Sequence, residues 1–176
     1  EQYATVLRHQ VNQGKGQALK TAFDYIRQQN SYGTVVTADA DGQHKIWDIL
    51  RTANKASENP NKLILGVRAF TGKVPLRSRF GNSLTKALFK IQTGVEVLDT
   101  QTGLRAFTTN LIPFMLKIEG QRYEYEMNML LEATKEYQIL EVPIETVYIN
   151  DNEGSHFRPI KDGLMIYKNI FKFALS

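Results

Sequence analysis

Gly33-Thr34-Val35-Val36-Thr37-Ala38-Asp39-Ala40-Asp41-Gly42-Gln43-His44 runs from a short β-branched, apolar stretch directly into two carboxylates one residue apart. β-Branched side chains suit a pleated sheet, and an apolar run without alternation suits a strand covered on both faces. Gly33 to Ala38 therefore reads as a buried parallel strand. Open α/β sheets bind ligands beyond the carboxyl ends of such strands, which is where Asp39 and Asp41 fall.

The flanking sequence agrees. On the N-terminal side, Gly16 to Gln29 places Ala18, Leu19, Ala22, Phe23 and Ile26 at helical spacing, and Tyr3 to Leu7 reads as a strand before it. On the other side, Lys45 to Ser57 reads as a helix with Ile46, Ile49 and Leu50 inward, Asn59-Pro60 breaks it, and Leu63 to Val67 is a further strand. This βαβαβ order predicts an α/β fold: a mostly parallel sheet with helices on both faces. Beyond it the expectations are a loop with Gly72 and Pro75, a helix from Ser78 to Ile91, a strand from Leu104 to Thr108 and a helix from Tyr125 to Tyr137. A strand from Ile139 to Ile149 follows, in which Pro143 favours an edge or a bulge. From Ile160 to Leu175, Leu164, Ile166, Tyr167, Ile170, Phe171 and Phe173 recur at helical spacing among Lys161, Lys168 and Lys172. Such a helix either lies on a membrane surface or packs on the sheet. No repeat or linker divides the 176 residues, so one domain over 1–176 is expected.

Composition narrows the function classes. The chain has no cysteine, which removes disulfides and thiolate chemistry and suits a reducing compartment. No apolar run approaches the roughly 20 residues that span a bilayer, and no signal peptide opens the chain. From Lys62 to Lys90 the chain carries Arg68, Lys73, Arg77, Arg79 and Lys86 without one acid. An anionic partner or a solvated basic face explains that run. Nucleic acid is not expected, because there is no aromatic RNA-binding signature, zinc-finger spacing or recognition helix.

Several motifs bear on chemistry, each with a plainer alternative. Asp39 and Asp41, with the Gln43 amide oxygen, are hard donors of the kind Mg²⁺ or Mn²⁺ shares with a substrate diphosphate. A turn whose aspartates cap the helix starting near Lys45 explains them equally. Asn12-Gln13-Gly14-Lys15-Gly16 stands between a strand and a helix, so Lys15 and nearby N–H groups suit a phosphate. It is neither a Walker loop nor a dinucleotide fingerprint, and a tight turn is the alternative. Leu98-Asp99-Thr100-Gln101-Thr102-Gly103-Leu104-Arg105 gathers phosphate-binding parts, against which stands a simple Asp99 to Arg105 ion pair. Gly154 to Pro159 is a second small basic loop. His9, His44 and His156 lack zincin spacing, and no Gly-x-Ser-x-Gly elbow is present.

Taken in order, Asn12 to Gly16, Asp39 to His44, Ser78-Arg79-Phe80-Gly81-Asn82, Asp99 to Arg105, Tyr123-Glu124-Tyr125-Glu126-Met127 and Ser155-His156-Phe157-Arg158-Pro159 resemble the family 2 inverting glycosyltransferases. The nearest subgroup is the polyprenyl-phosphate sugar synthases. The resemblance implies a GT-A fold with Asp39, Asp41 and Gln43 as donor and metal site for Mg²⁺ or Mn²⁺, and Lys15 on the donor side. It implies that Arg79 and Arg105 hold the donor diphosphate and the lipid phosphate. Thr102, Ser155 and Arg158 stand near the acceptor phosphate, and Asp99 is a base or an organiser of the arginines. Asp41 and Asp99 are thus the expected catalytic residues, with Glu124 or Glu126 the base in many relatives.

Relatives begin with a βαβ unit ending in Asp-Asp-Gly-Ser, which does not occur here, so the chain is expected to start after that unit. Three functions follow. The first is metal-dependent, inverting transfer from a nucleotide-diphosphate sugar, UDP-linked in preference, to a polyprenyl phosphate at the cytoplasmic membrane face. The second is transfer to a saccharide hydroxyl, which requires a carboxylate base. The third is a non-catalytic membrane-surface module of the same shape.

Overall fold

The computed structural model describes residues 4–68 and 76–145. The elements are α1 (Lys15–Gln28), β1 (Thr34–Thr37), α2 (Ile46–Glu58), β2 (Lys62–Arg68), α3 (Leu76–Thr93) and β3 (Arg105–Thr108). A 3-10 turn (Thr109–Leu111), α4 (Ile112–Lys117), α5 (Glu124–Glu136) and β4 (Gln138–Ile144) complete them. Strand order is β1-β3-β2-β4. β1, β2 and β4 run in one direction, and β3 runs against both its neighbours, with Val35 opposite Phe107 and Ile64 opposite Ala106. The expectation of a mostly parallel sheet holds for strand direction. Pairing is mixed, because β3 fills the slot between β1 and β2. β4 lies at the sheet's edge, as Pro143 requires.

Side chains on successive strand residues point to opposite faces, and the two faces are filled differently. Leu63, Leu65 and Val67 of β2 and Phe107 of β3 join Phe23 of α1 and Tyr125, Met129 and Leu130 of α5 in the larger core. Phe23 and Phe107 meet edge to face, their centroids 5.3 Å apart. Ile64 of β2 and Ala106 of β3 face the other way and pack with Ala56 of α2 and Val142 of β4. Helices therefore cover both faces.

Two sequence expectations need correction. Ala4 to Leu7 forms no strand; the segment is exposed, Val6 at 65%. In α2 the inward residues are Asp48, Thr52 and Ala56, whereas Ile46 and Leu50 point to solvent. The physical reason is polar docking. Asp48 Oδ2 accepts the Glu145 N–H at 3.1 Å and its Oδ1 is ion-paired with Arg51, and this fixes the helix's rotation against the end of β4. The Gly72 and Pro75 loop, residues 146–149 of the expected last strand and the Ile160 to Leu175 helix lie outside the described residues.

Candidate active site

The end of β1 delivers Asp39 into a close-fitted cluster. Lys15, the first residue of α1, places Nζ 2.6 Å from Asp39 Oδ1 and 2.8 Å from Glu126 Oε2, on the first turn of α5. His44 Nε2 stands 3.9 Å from Asp39 Oδ2, and its buried Nδ1 has no hydrogen-bond partner. From the other side, Thr37 Oγ1 donates to the Gly103 carbonyl at 3.0 Å. A Cβ at position 103 would stand 2.0 Å from Asp39 Oδ2, so only glycine lets this loop approach the carboxylate.

Lys15 is held by an equally close fit. Gly14, at φ 97, and Gly16 lie against the turn before α5, where added Cβ atoms would stand 2.5 Å from Gln121 O and 2.5 Å from Tyr125 Cβ respectively. Gln17 N donates to Gln121 O at 2.9 Å. The Gly-Lys-Gly sequence is thus a contact between the starts of α1 and α5 that aims the lysine. Its electrostatics follow from that geometry. Burial alone would lower the Lys15 pKa, but Glu126 and Asp39 outweigh it and raise it above the ordinary lysine value. His44 first, then Lys15, hold Asp39 well below the usual carboxylate range against the opposing effect of burial.

Asp41 is different: it is exposed on a turn that Gly42 makes at φ 78, and its Oδ1 accepts the Gln43 N–H at 3.0 Å. α2 starts with Lys45 at its N-cap and no side-chain cap, so neither aspartate serves as the cap that the sequence left open. The donor set fits a hard cation. Two carboxylates and an amide are oxygen ligands, and among the described residues no group of three or more His, Cys, Asp or Glu forms a protein cage. Such an ion would draw its remaining ligands from a diphosphate and water.

The second loop is built inward. Asp99 is fully buried and meets Arg68 through two contacts, Nε to Oδ2 at 2.6 Å and Nη2 to Oδ1 at 3.2 Å, and Gln101 N donates to Oδ1 at 3.1 Å. Its ion-pair partner is therefore Arg68 and not Arg105. Thr102 Oγ1 donates to Gly66 O at 2.6 Å and accepts the Leu104 N–H at 3.2 Å. Arg105 is 1% exposed and donates Nε to Thr102 O at 3.1 Å and Nη1 to Glu126 O at 2.5 Å. Burial lowers its pKa, while Glu126 and Asp99 oppose that shift. Thr102 and Arg105, which the resemblance placed near an acceptor phosphate, are both buried here, donate to main-chain carbonyls and brace the loop behind Asp39.

Arg68 is the residue that sequence reasoning missed, since nothing local links it to a carboxylate 31 positions away. Glu124 Oε1 accepts the Gln121 and Arg122 N–H groups at 3.0 and 3.1 Å and so closes the turn before α5, whereas Glu126 meets Lys15. Arg79 lies in α3, its side chain outside the described residues, as are Ser155, His156 and Arg158.

The sequence model for glycosyl transferase family 2 matches residues 1–116. The chain belongs to that family. This family 2 glycosyltransferase is 30% identical over 148 residues to the UDP-N-acetylglucosamine–dolichyl-phosphate N-acetylglucosaminyltransferase of Methanococcus voltae, which covers 81% of the chain and 59% of the relative. It is 28% identical over 172 residues to glycosyltransferase AglJ of Haloferax volcanii, covering 94% and 54%. The chain therefore spans somewhat over half the length of these relatives. Glucosyl-3-phosphoglycerate synthase from Mycobacterium tuberculosis, crystallised with uridine diphosphate, superposes with a TM-score of 0.64 at 17% identity over 93% of this chain and 56% of that one. The crystal structure of the same synthase with Mn²⁺, UDP-glucose and glycerol 3-phosphate gives 0.60 at 19% identity, over 94% of this chain and 55% of that one. The chain shares the GT-A fold of that synthase.

Proposed function

We propose that the family 2 glycosyltransferase to which this chain belongs transfers a sugar, with inversion, from a UDP-sugar to a polyprenyl phosphate, at the cytoplasmic face of a membrane. The observation that carries the donor side is the pairing of a pinned Asp39 with an exposed Asp41 at the end of β1. Asp39, Asp41 and Gln43 would hold Mg²⁺ or Mn²⁺, which as a Lewis acid stabilises the departing diphosphate. The acceptor assignment draws on the dolichyl-phosphate relative, and metal use on the synthase crystallised with Mn²⁺ and UDP-glucose.

In this reading Lys15 fixes the angle of Asp39 and ties the donor side to α5 through Glu126. Arg79, Ser155 and Arg158 receive the acceptor phosphate. That phosphate, with a second pKa of about 6, is mostly a dianion at neutral pH, so its oxygen attacks the anomeric carbon without a strong general base. Asp99 then has no proton to remove; paired with Arg68, it holds its loop in register behind Asp39. Transfer to a saccharide hydroxyl would instead require a free carboxylate, and Glu126 is ion-paired to Lys15.

The test is transfer of labelled sugar by the full-length protein from a panel of UDP- and GDP-sugars to a polyprenyl phosphate, with EDTA and Asp41→Asn as controls. We expect a phosphate-linked lipid product and a loss on the order of 10²-fold or more in the variant, the scale of losing one preorganised electrostatic group. Near-normal turnover of Asp41→Asn would refute the metal assignment. A lengthened saccharide as the product would refute the acceptor.

A further inference from the structure

Asp39 and Asp41, the two carboxylates that the transferase reading gives to a divalent cation, have very different surroundings. Asp41 is exposed, and its Oδ1 accepts the Gln43 N–H at 3.0 Å. Asp39 is enclosed at both oxygens. Lys15 Nζ stands 2.6 Å from Oδ1, while Gly103 packs so close to Oδ2 that a Cβ there would come within 2.0 Å. His44 Nε2 stands 3.9 Å from the same Oδ2. The lysine ammonium therefore sits at the oxygen that Gly103 does not crowd. It is anchored from the other side as well. Nζ is 2.8 Å from Glu126 Oε2, so the ammonium can give up Asp39 and still keep a counter-charge. The main chain of Lys15 is fixed, because Gly14 and Gly16 are seated on Gln121 and Tyr125 with no room for a Cβ. Only the flexible four-carbon stem is left to swing.

We propose that Lys15 is the resident counter-ion of the metal site: it keeps Asp39 from a bare divalent cation and yields the carboxylate to one that arrives with a diphosphate. Two cations on one carboxylate repel each other, and more strongly at a partly buried site where water screens them poorly. A diphosphate reverses that balance. Its oxygens offset the metal's charge and accept hydrogen bonds from an ammonium group. Lys15 then passes from Asp39 to a phosphate oxygen while Glu126 keeps hold of it. Metal and nucleotide consequently bind as a unit, each raising the affinity of the other. This exchange rests on the assignment of Asp39 and Asp41 to a metal, and its test separates the two.

The probe is Mn²⁺ alone, titrated into the full-length protein and followed by the electron spin resonance of the free ion, first without and then with UDP. Wild type should bind bare Mn²⁺ weakly, and UDP should tighten that binding on the order of 10-fold or more, within the usual range of coupling between ligands. Lys15→Met removes the charge and keeps an unbranched stem. It should tighten bare Mn²⁺ about 10-fold and shrink the effect of UDP by a similar factor. Should that variant fail to fold, the wild type decides: the nitrogen NMR signal of the Lys15 ammonium is expected to shift with Mg²⁺ and UDP together and to stay in place with Mg²⁺ alone. A shift with Mg²⁺ alone, or none with both, overturns the exchange. So does bare Mn²⁺ binding that is unchanged or weaker in folded Lys15→Met while Asp41→Asn still loses the ion, and the metal site then stands without its counter-ion. Mn²⁺ binding that Asp41→Asn leaves intact overturns the metal assignment and this inference with it.

Discussion

Asp39 depends on a neighbour with no side chain. We predict that Gly103→Ala destabilises the protein by about 1–3 kcal/mol, the usual cost of overpacking, because its Cβ would meet Asp39 Oδ2 at 2.0 Å and push the carboxylate off Lys15. Urea unfolding measures the first effect and calorimetric titration with a UDP-sugar the second; wild-type values in both would show that Asp39 has room to move. Acid dependence offers an independent check on the same residue. Its native pKa lies below the unfolded value of about 3.9, so its contribution to stability is present above that pH and is lost as pH falls through the lower native value. We expect Asp39→Asn to flatten the stability profile below roughly pH 4; an unchanged profile would mean that other carboxylates dominate acid unfolding. At this scale the sequence was half legible. Asp39 and Asp41 stand out because only Ala40 separates them and they follow a strand, but the partners Lys15 at 24 and Glu126 at 87 residues from Asp39 are united only by folding.

The loop between α3 and β3 is held by an ion pair that neither flanking element announces. Removing one partner of a buried pair leaves the other uncompensated, so Asp99→Ala is predicted to cost about 3–5 kcal/mol. Arg68 keeps 26% of its side chain exposed, which places the expected value at the lower end of that range. Denaturant unfolding reads that cost, and turnover per folded molecule should fall far less than for Asp41→Asn; a stable but inactive Asp99→Ala would restore the aspartate as a catalytic base. The segment from Gly16 to Thr108 was largely legible as alternating elements, since period and breakers mark helices and strands locally. Helix rotation was not. Apolar spacing in α2 pointed Ile46 and Leu50 inward, and a buried carboxylate docked on β4 turned the helix the other way. Ala4 to Leu7 shows the converse: a strand-like composition makes a strand only where another strand lies beside it.

Across the whole molecule, one sheet separates a large core from a small one, and β2 and β3 contribute side chains to both. Leu65→Ala, at a fully buried position in the larger core, is predicted to cost about 2–5 kcal/mol by cavity formation; thermal unfolding giving a loss under about 1 kcal/mol would show that the core collapses around the gap. Helices on both faces were legible from the βαβ rhythm. The interposed antiparallel strand was not, because rhythm carries element order and says nothing of which strands become neighbours. That insertion governs how the chain can assemble. β1 and β2 follow each other in sequence but do not touch, and Thr34 waits for Thr108 while Lys62 waits for Gln138. On a ribosome, β1 and β2 are both made before β3 can join them, and β1 pairs with β3 across 68–74 positions of sequence while β2 pairs with β4 across 76. Slow, non-local folding is expected, with the nascent sheet exposed to foreign strands and chaperones until its middle member arrives.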